Sequence, residues 1–199
     1  MEINKESYNK IAKQWNKYRH TSSLNKCIVD FSQKIKPTGK ILDIGCGSGY
    51  PITKYLSEHG FAVTGIDISE NMIKEAVRQN LPNAKFYLYD FFEFKPTEKY
   101  DGIIAFDSFF HFPKEKQTEI YHIISDWMNI GAYLLFTHGK KESEIKDYMY
   151  GKIFYYSALN TQDVHKLLSD SGFAIELSIE DYKETNSERD LLILAKKIK

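Results

Sequence analysis

Ile41-Leu42-Asp43-Ile44-Gly45-Cys46-Gly47-Ser48-Gly49 is the stretch that decides the fold of this chain. The apolar run reads as a buried strand, the glycines as a tight turn and the residues beyond Gly49 as a helix, which is how α/β proteins build a nucleotide-sized pocket. The acid ahead of the glycines narrows the ligand. A dinucleotide would lay a doubly charged pyrophosphate on this turn, where Asp43 repels it, whereas a ligand with a cationic amino-acid end is attracted. Glycine spacing agrees: a dinucleotide turn follows Gly-x-Gly-x-x-Gly, and here the glycines stand at 45, 47 and 49.

Strand, turn and helix alternate downstream. The helix after the turn carries Ile52, Tyr55, Leu56 and His59 on one side and stops at Gly60. Phe61 to Ile66 form a second strand ending at Asp67, and Ser69 caps a helix with Met72, Ile73, Ala76 and Val77 inward. Leu81-Pro82-Asn83 turns into a third strand, Lys85 to Tyr89, ending at Asp90, and Tyr100 to Phe106 make the fourth. Ile120, Ile123, Ile124 and Trp127 mark a helix closed by Gly131, followed by a fifth strand, Ala132 to Thr137. Thr161 caps a helix with Val164, Leu167 and Leu168; two last strands, Phe173 to Glu180 and Leu191 to Ala195, are joined by the polar stretch Tyr182 to Arg189. Upstream, Tyr8, Ile11, Ala12, Trp15 and Tyr18 share one helical face, and Leu24, Cys27, Ile28, Phe31 and Ile35 form the stripe of a second helix.

Successive βαβ units require a parallel sheet with helices on both faces, and two strands without a crossover helix pair as an antiparallel hairpin. The expected fold is α/β, Rossmann-like and doubly wound, with a seven-stranded, mostly parallel sheet and an antiparallel C-terminal hairpin. A single domain spans 1–199: a helical lid segment 1–36, a binding core 37–140, and a substrate-side segment with the terminal hairpin 141–199.

Composition bounds the partners. The 199 residues are 42% hydrophobic and 27% charged, ordinary for a folded domain. Lysine plus arginine equals aspartate plus glutamate, 27 against 27, so no bulk charge draws the chain to nucleic acid or an acidic membrane. Two cysteines, Cys27 and Cys46, make neither a disulfide framework nor a metal site. Without a signal-peptide core or long apolar run, the expectation is a cytoplasmic protein, monomer or homodimer, with no membrane partner.

Ligands of open α/β sheets bind outside the carboxyl ends of the strands, here at Asp43 to Gly49, Asp67, Asp90 and Phe106 to His111. Asp67 can accept both hydrogen bonds of a ribose diol, Ile68 can cover a purine face, and Asp90 with the Phe91 amide can read an adenine edge. At these residues the chain resembles the class I S-adenosylmethionine-dependent methyltransferases. The match runs through Asp43 to Gly49, Gly65-Ile66-Asp67-Ile68-Ser69-Glu70-Asn71-Met72, Asp90-Phe91 and Tyr100-Asp101-Gly102-Ile103-Ile104, over roughly residues 35 to 140. The resemblance implies S-adenosyl-L-methionine as cofactor and S-adenosyl-L-homocysteine as product. It implies a glycine turn, Gly45 and Gly47 with Cys46 and Gly49, around the methionine portion. Asp67 then takes the ribose and Ile68, Asp90 and Phe91 the adenine, with Met72 and Phe106 beside the cofactor. A leading helix in such proteins closes over the cofactor, which would bring Tyr8, Trp15 and Arg19 to it. The alternative is a helix packed for stability alone.

Methyl transfer from a sulfonium is an in-line displacement, so positioning dominates and a base serves only an acceptor that arrives protonated. His111 and then Asp107 are the catalytic candidates at the fourth strand's end, with His138 after the fifth; each also reads as a packing or surface residue. Phe110, Tyr155 and Tyr156 are candidates for shaping an acceptor pocket, or for packing the last helix. Motifs of DNA-methylating enzymes are absent, so the expected acceptor is a small molecule methylated at oxygen or nitrogen. Rival readings are an enzyme acting on protein or RNA through a partner, an NAD-dependent oxidoreductase, and a non-catalytic cofactor-binding protein.

Overall fold

In the computed structural model, which describes residues 2–184 and 187–199, a seven-stranded sheet has the order β3-β2-β1-β4-β5-β9-β8. Its strands are β1 (Lys40–Ile44), β2 (Ala62–Asp67), β3 (Ala84–Leu88), β4 (Tyr100–Ala105), β5 (Met128–His138), β8 (Phe173–Glu184) and β9 (Ser187–Lys197). The first five run parallel, and β9 is antiparallel to both β5 and β8. Strand order reverses between β1 and β4, the place where such sheets open a crevice. Among the described residues, no helix is long and apolar enough to cross a membrane.

Side-chain alternation on β1 sorts the core. Leu42 and Ile44 point into an apolar cluster with α5 (Gln117–Trp127) and α6 (Thr161–Asp170), while Ile41 points to the opposite one with α2 (Lys26–Gln33) and α3 (Ile52–Glu58). Asp43 shares the face of Ile41 and so meets α3. Two further helices, α1 (Glu2–Arg19) and α4 (Glu70–Arg78), meet each other beyond the strand ends.

Several expectations are corrected. The described residues of the link between the last strands, up to Glu184 and from Ser187, are strand as well: Tyr182 pairs with Arg189 in an extended hairpin. Met1 of the first helix, and Thr185 and Asn186 of that link, lie outside the described residues. α5 ends at Trp127 and β5 starts at once, because the buried Lys197 ammonium takes the carbonyls of Ser125 and Met128; Gly131 instead sits within β5 at φ 85°. Asn160, not Thr161, caps α6 by accepting the Asp163 N–H at 2.9 Å. Val77 and His59 face solvent. Within the substrate-side segment an unexpected two-stranded ribbon forms, β6 (Ser143–Met149) and β7 (Lys152–Ala158), closed by the left-handed pair Tyr150-Gly151.

Gly102 in β4 lies against Phe31 of α2 and Ile35 just beyond it. A Cβ there would collide with Ile35 Cδ1 and lie 2.9 Å from Phe31 Cζ. Gly102→Ala is expected to destabilise the fold by about 1–3 kcal/mol in urea denaturation. Adding Ile35→Val, which deletes the colliding methyl, should recover part of the loss; strictly additive losses would refute this packing account.

Candidate functional site

The glycine turn is built by hydrogen bonds from the neighbouring strand. Gly45 and Cys46 donate to the Ile66 carbonyl at 2.8 and 3.1 Å. Gly45, Gly47 and Gly49 all have positive φ, and a Cβ on Gly45 would lie 2.5 Å from that of Ser108. β1 and β4 thus approach at the mouth of the crevice as only a glycine permits.

Two carboxylates border the turn. Asp43 is buried and accepts from Thr53 Oγ1 at 2.6 Å. Asp67 accepts the backbone N–H of Gly47 at 2.9 Å and of Ser69 at 2.8 Å. Burial pushes both carboxyls up to about 6 against these hydrogen bonds, and the charge of Asp67 raises Asp43 further. Arg19 at the end of α1 offsets part of the rise at Asp43, and burial depresses its own guanidinium.

A single cleft is lined by Asp43, Gly45, Cys46, Gly47, Asp67, Ile68, Met72, Phe91, Phe106, Asp107 and His111 from the sheet side, and by Tyr8, Trp15 and Arg19 from α1. The expected helix is therefore a roof. Asn4 clamps β7 from above, donating to the Tyr155 carbonyl at 2.9 Å and accepting the Tyr155 N–H at 2.7 Å; Ser7 donates to the Ile153 carbonyl at 2.6 Å. Asn9 accepts from Ser69 Oγ at 2.8 Å and from the Asn71 N–H at 3.0 Å, fixing the roof to the start of α4. The Trp15 indole nitrogen lies 3.8 Å from where a Gly47 Cβ would stand.

Other expected residues lie elsewhere. Gly49 is not in the cleft; a Cβ there would meet Phe86 at 3.0 Å, so it is a packing glycine. The Asp90 carboxylate turns away to accept the Phe92 N–H at 3.0 Å and faces a shallow outer depression with Glu2, Lys5 and Ile68. Phe110 and Tyr156 pack around the His111 ring, with centroids 4.8 and 4.9 Å away, and Tyr155 offers it a backbone carbonyl; none of the three lines the cleft. His138 is buried outside the cleft, its ring nitrogens 2.8 Å from the Gly139 carbonyl and 3.0 Å from Gln117 Oε1. Asp107, at φ 61°, is held in a two-point ion pair by the Arg189 Nε and Nη2 groups, which leaves it poorly suited to act as a base.

Sequence reasoning passed over Ser48, Ser108 and Arg189. Ser48 and Ser108 line the cleft with buried hydroxyls that make no hydrogen bond among the described residues and so are free to meet a polar ligand. Ser48 lies inside the glycine turn and Ser108 at a strand end, so position alone would have found them. Arg189 gave no such signal, being 82 residues from its partner.

A family comparison decides what the chain belongs to: the methyltransferase-domain model matches residues 15–177. The chain belongs to the methyltransferase-domain family. A solved S-adenosylmethionine-dependent methyltransferase from Clostridium acetobutylicum superimposes with TM-score 0.72 at 17% identity, covering 97% of this chain and 100% of that one. A 1,6-didemethyltoxoflavin-N1-methyltransferase from Burkholderia thailandensis gives 0.73 at 15% identity, covering 98% and 87%. The fold is therefore that of the class I S-adenosylmethionine-dependent methyltransferases. In sequence, "Probable thiol methyltransferase 2" of Arabidopsis thaliana is 36% identical over 78 residues, 37% of this chain and 34% of that protein. The matched region spans about a third of the length of the curated relatives.

The pKa of Asp43 has a consequence for stability. A carboxyl whose value is raised by folding stabilises the fold only while protonated; that contribution is full below about pH 4 and gone once pH passes about 6. Asp43→Asn keeps an acceptor for Thr53 and removes the charge. The variant should melt higher than the parent at pH 8, by on the order of 2 kcal/mol, and the gain should vanish near pH 4. An equal gain at both pH values would refute the assignment.

Proposed function

We propose that this methyltransferase-family chain binds S-adenosylmethionine in the roofed cleft and transfers its methyl group to oxygen or nitrogen of a small-molecule acceptor. The observation that carries the reading is the pair Asp43 and Asp67, two partly compensated carboxylates flanking a glycine turn at adjacent strand ends. A ligand bearing an ammonium and a sulfonium supplies the missing positive charge. Asp67 has used one lone pair on each oxygen for backbone N–H groups and keeps others for a ribose diol. Ile68, Met72 and Phe91 offer an apolar slot for adenine, and Arg19 stands ready for the amino-acid carboxylate. The Asp90 carboxylate, already committed to Phe92, is left to the rim of that slot.

A small acceptor follows from the roof. With Asn4 near the start of α1 tied to β7 and Asn16 near its end tied to Glu75 of α4, a folded macromolecule would have to lift the helix to reach the methyl group. The acceptor end of the cleft is then the one bounded by Asn4, Tyr8, Phe106, Ser108 and His111.

Calorimetry with S-adenosylhomocysteine tests the cofactor reading. Binding is expected, and Asp67→Ala should weaken it by roughly 1.5–3 kcal/mol through loss of charge-assisted hydrogen bonds; equal affinity would remove Asp67 from the site. The pH dependence is a second check. A ligand cation lowers both carboxyls from about 6, so binding releases protons, and affinity should fall below pH 6 by about tenfold per unit for each carboxylate that must ionise. Affinity independent of pH between 5 and 8 would count against the charge argument. Trp15 fluorescence should shift on saturation, and an unchanged spectrum would remove the roof from the binding event.

A further inference from the structure

We propose that Tyr8 is a catalytic residue whose hydroxyl relays a proton from the methyl acceptor to Nε2 of His111, fitting the site to alcohols, phenols and aromatic amines. This deepens the proposed methyl transfer and rests on it.

The direction of the relay is fixed by hydrogen bonds. His111 closes a 3-10 turn just after β4, with Nδ1 at 2.9 Å from the Tyr155 carbonyl oxygen. A carbonyl only accepts, so Nδ1 carries a proton. Burial holds the ring neutral, down to about 4, hence Nε2 keeps a free lone pair. Tyr8 Oη stands 2.8 Å from that nitrogen and must be the donor. Burial, helped by Tyr156 and two aspartates, raises the phenol well above its usual value, so it is protonated and able to donate. Its proton committed to His111, the Tyr8 oxygen retains lone pairs, and among the described residues it makes no other hydrogen bond. Both side chains line the cleft.

The surroundings fix the geometry from two sides. Asn4 holds the Tyr155 peptide from α1, so the helix that delivers Tyr8 also anchors the carbonyl that orients His111. The Tyr8 ring is wedged edge-on against Phe154, at 4.8 Å, and against Trp15, at 6.1 Å.

The chemistry balances. A lone pair of the acceptor atom forms the bond to the methyl carbon as the carbon–sulfur bond breaks, and its electron pair stays on sulfur as a neutral thioether. The acceptor's proton passes to Tyr8 Oη while the Tyr8 proton moves to His111 Nε2. Tyr8 ends unchanged, and the charge that began on the sulfonium ends on the imidazolium. A weak base suffices, because the proton of an alcohol, a phenol or an aromatic amine becomes readily lost only once the new bond has formed. Thiolates and halides carry no such proton and gain nothing from the pair.

Two measurements on the whole chain decide it, beside a binding control. Calorimetry with S-adenosylhomocysteine should give affinities for Tyr8→Phe and His111→Gln within about threefold of the parent; a parent that fails to bind sinks the cofactor reading, not the relay. Nitrogen-detected NMR of labelled histidine at pH 7 should show His111 protonated on Nδ1 and bare on Nε2. The reverse tautomer overturns the relay whatever the acceptor. S-adenosylhomocysteine release is then followed with a panel of phenols, alcohols and aromatic amines set against iodide and hydrosulfide. Use of the protic probes is expected, with Tyr8→Phe losing at least about 100-fold in kcat at unchanged KM for S-adenosylmethionine. Parental kcat in Tyr8→Phe, or methylation of iodide and hydrosulfide alone, overturns it.

Discussion

Negative charge held out of water at the ends of β1 and β2 is the constraint around which this molecule is arranged. Parallel strands bring Asp43 and Asp67 to neighbouring ends of the sheet, with Asp43 in register with Gly65, two residues before Asp67. Taking a carboxylate from water is costly unless hydrogen bonds or a cation stand in for the solvent. The fold supplies part of that: one hydroxyl for Asp43, two backbone N–H groups for Asp67, and a guanidinium across the cleft. In the proposed function a cationic ligand makes up the deficit that remains. Small residues make the arrangement possible, since a Cβ on Gly65 would lie 2.9 Å from Cys46 Sγ and one on Gly45 would strike Ser108.

The roof is attached by a different kind of force from the one that holds the core. Ile11 and Ala12 are the only buried apolar residues of α1, and its other buried positions are Asn4 and Ser7. Those two, with Asn9 and Asn16, reach backbone and polar groups of β7 and α4. Each such bond contributes about 1 kcal/mol net, so lifting one end of the helix costs a few kcal/mol while the sheet stays intact. A cofactor enclosed on both sides needs that inequality to enter and leave.

What the sequence made legible follows from how local each determinant is. The central strands were readable because both faces are buried and the apolar run is continuous, as in Ile41 to Ile44, and the acids at their ends stand out against it. The ribbon β6–β7 was not, because it is a two-stranded outwork whose first strand, Ser143–Met149, carries Glu144, Lys146 and Asp147 toward solvent and shows no apolar alternation. Asp90 looked equivalent to Asp67 by position. The difference is the 3-10 turn Phe91–Glu93 directly after it, which claims the carboxylate as its cap, whereas Asp67 is followed by Ile68 and a helix that Ser69 caps instead. Asp107 was a candidate base because it stands at the end of the fourth strand. Its partner Arg189 sits on the far hairpin, beyond any local pattern, and stacks over Phe106 at 5.2 Å.

That ion pair gives the terminal hairpin a part in the site although Arg189 does not line the cleft. Asp107 occupies a left-handed conformation that a non-glycine residue adopts at a cost, and Thr137 from β5 and Arg189 from β9 hold it there. The chain leaves β4 through this residue and delivers Ser108 against Gly45 and His111 beneath Tyr8, so the latch sets the distance between the glycine turn and the Tyr8–His111 pair. In the proposed reaction this distance matters for charge as well as for reach. Methyl transfer abolishes the sulfonium next to two carboxylates and leaves a cation on a buried imidazole that burial has made reluctant to hold one. Each side of the cleft is then less satisfied with products than with substrates, the carboxylates for want of a cation and His111 for having one. Electrostatics that assemble the reactants therefore also drive the products out, by way of the roof's polar attachments.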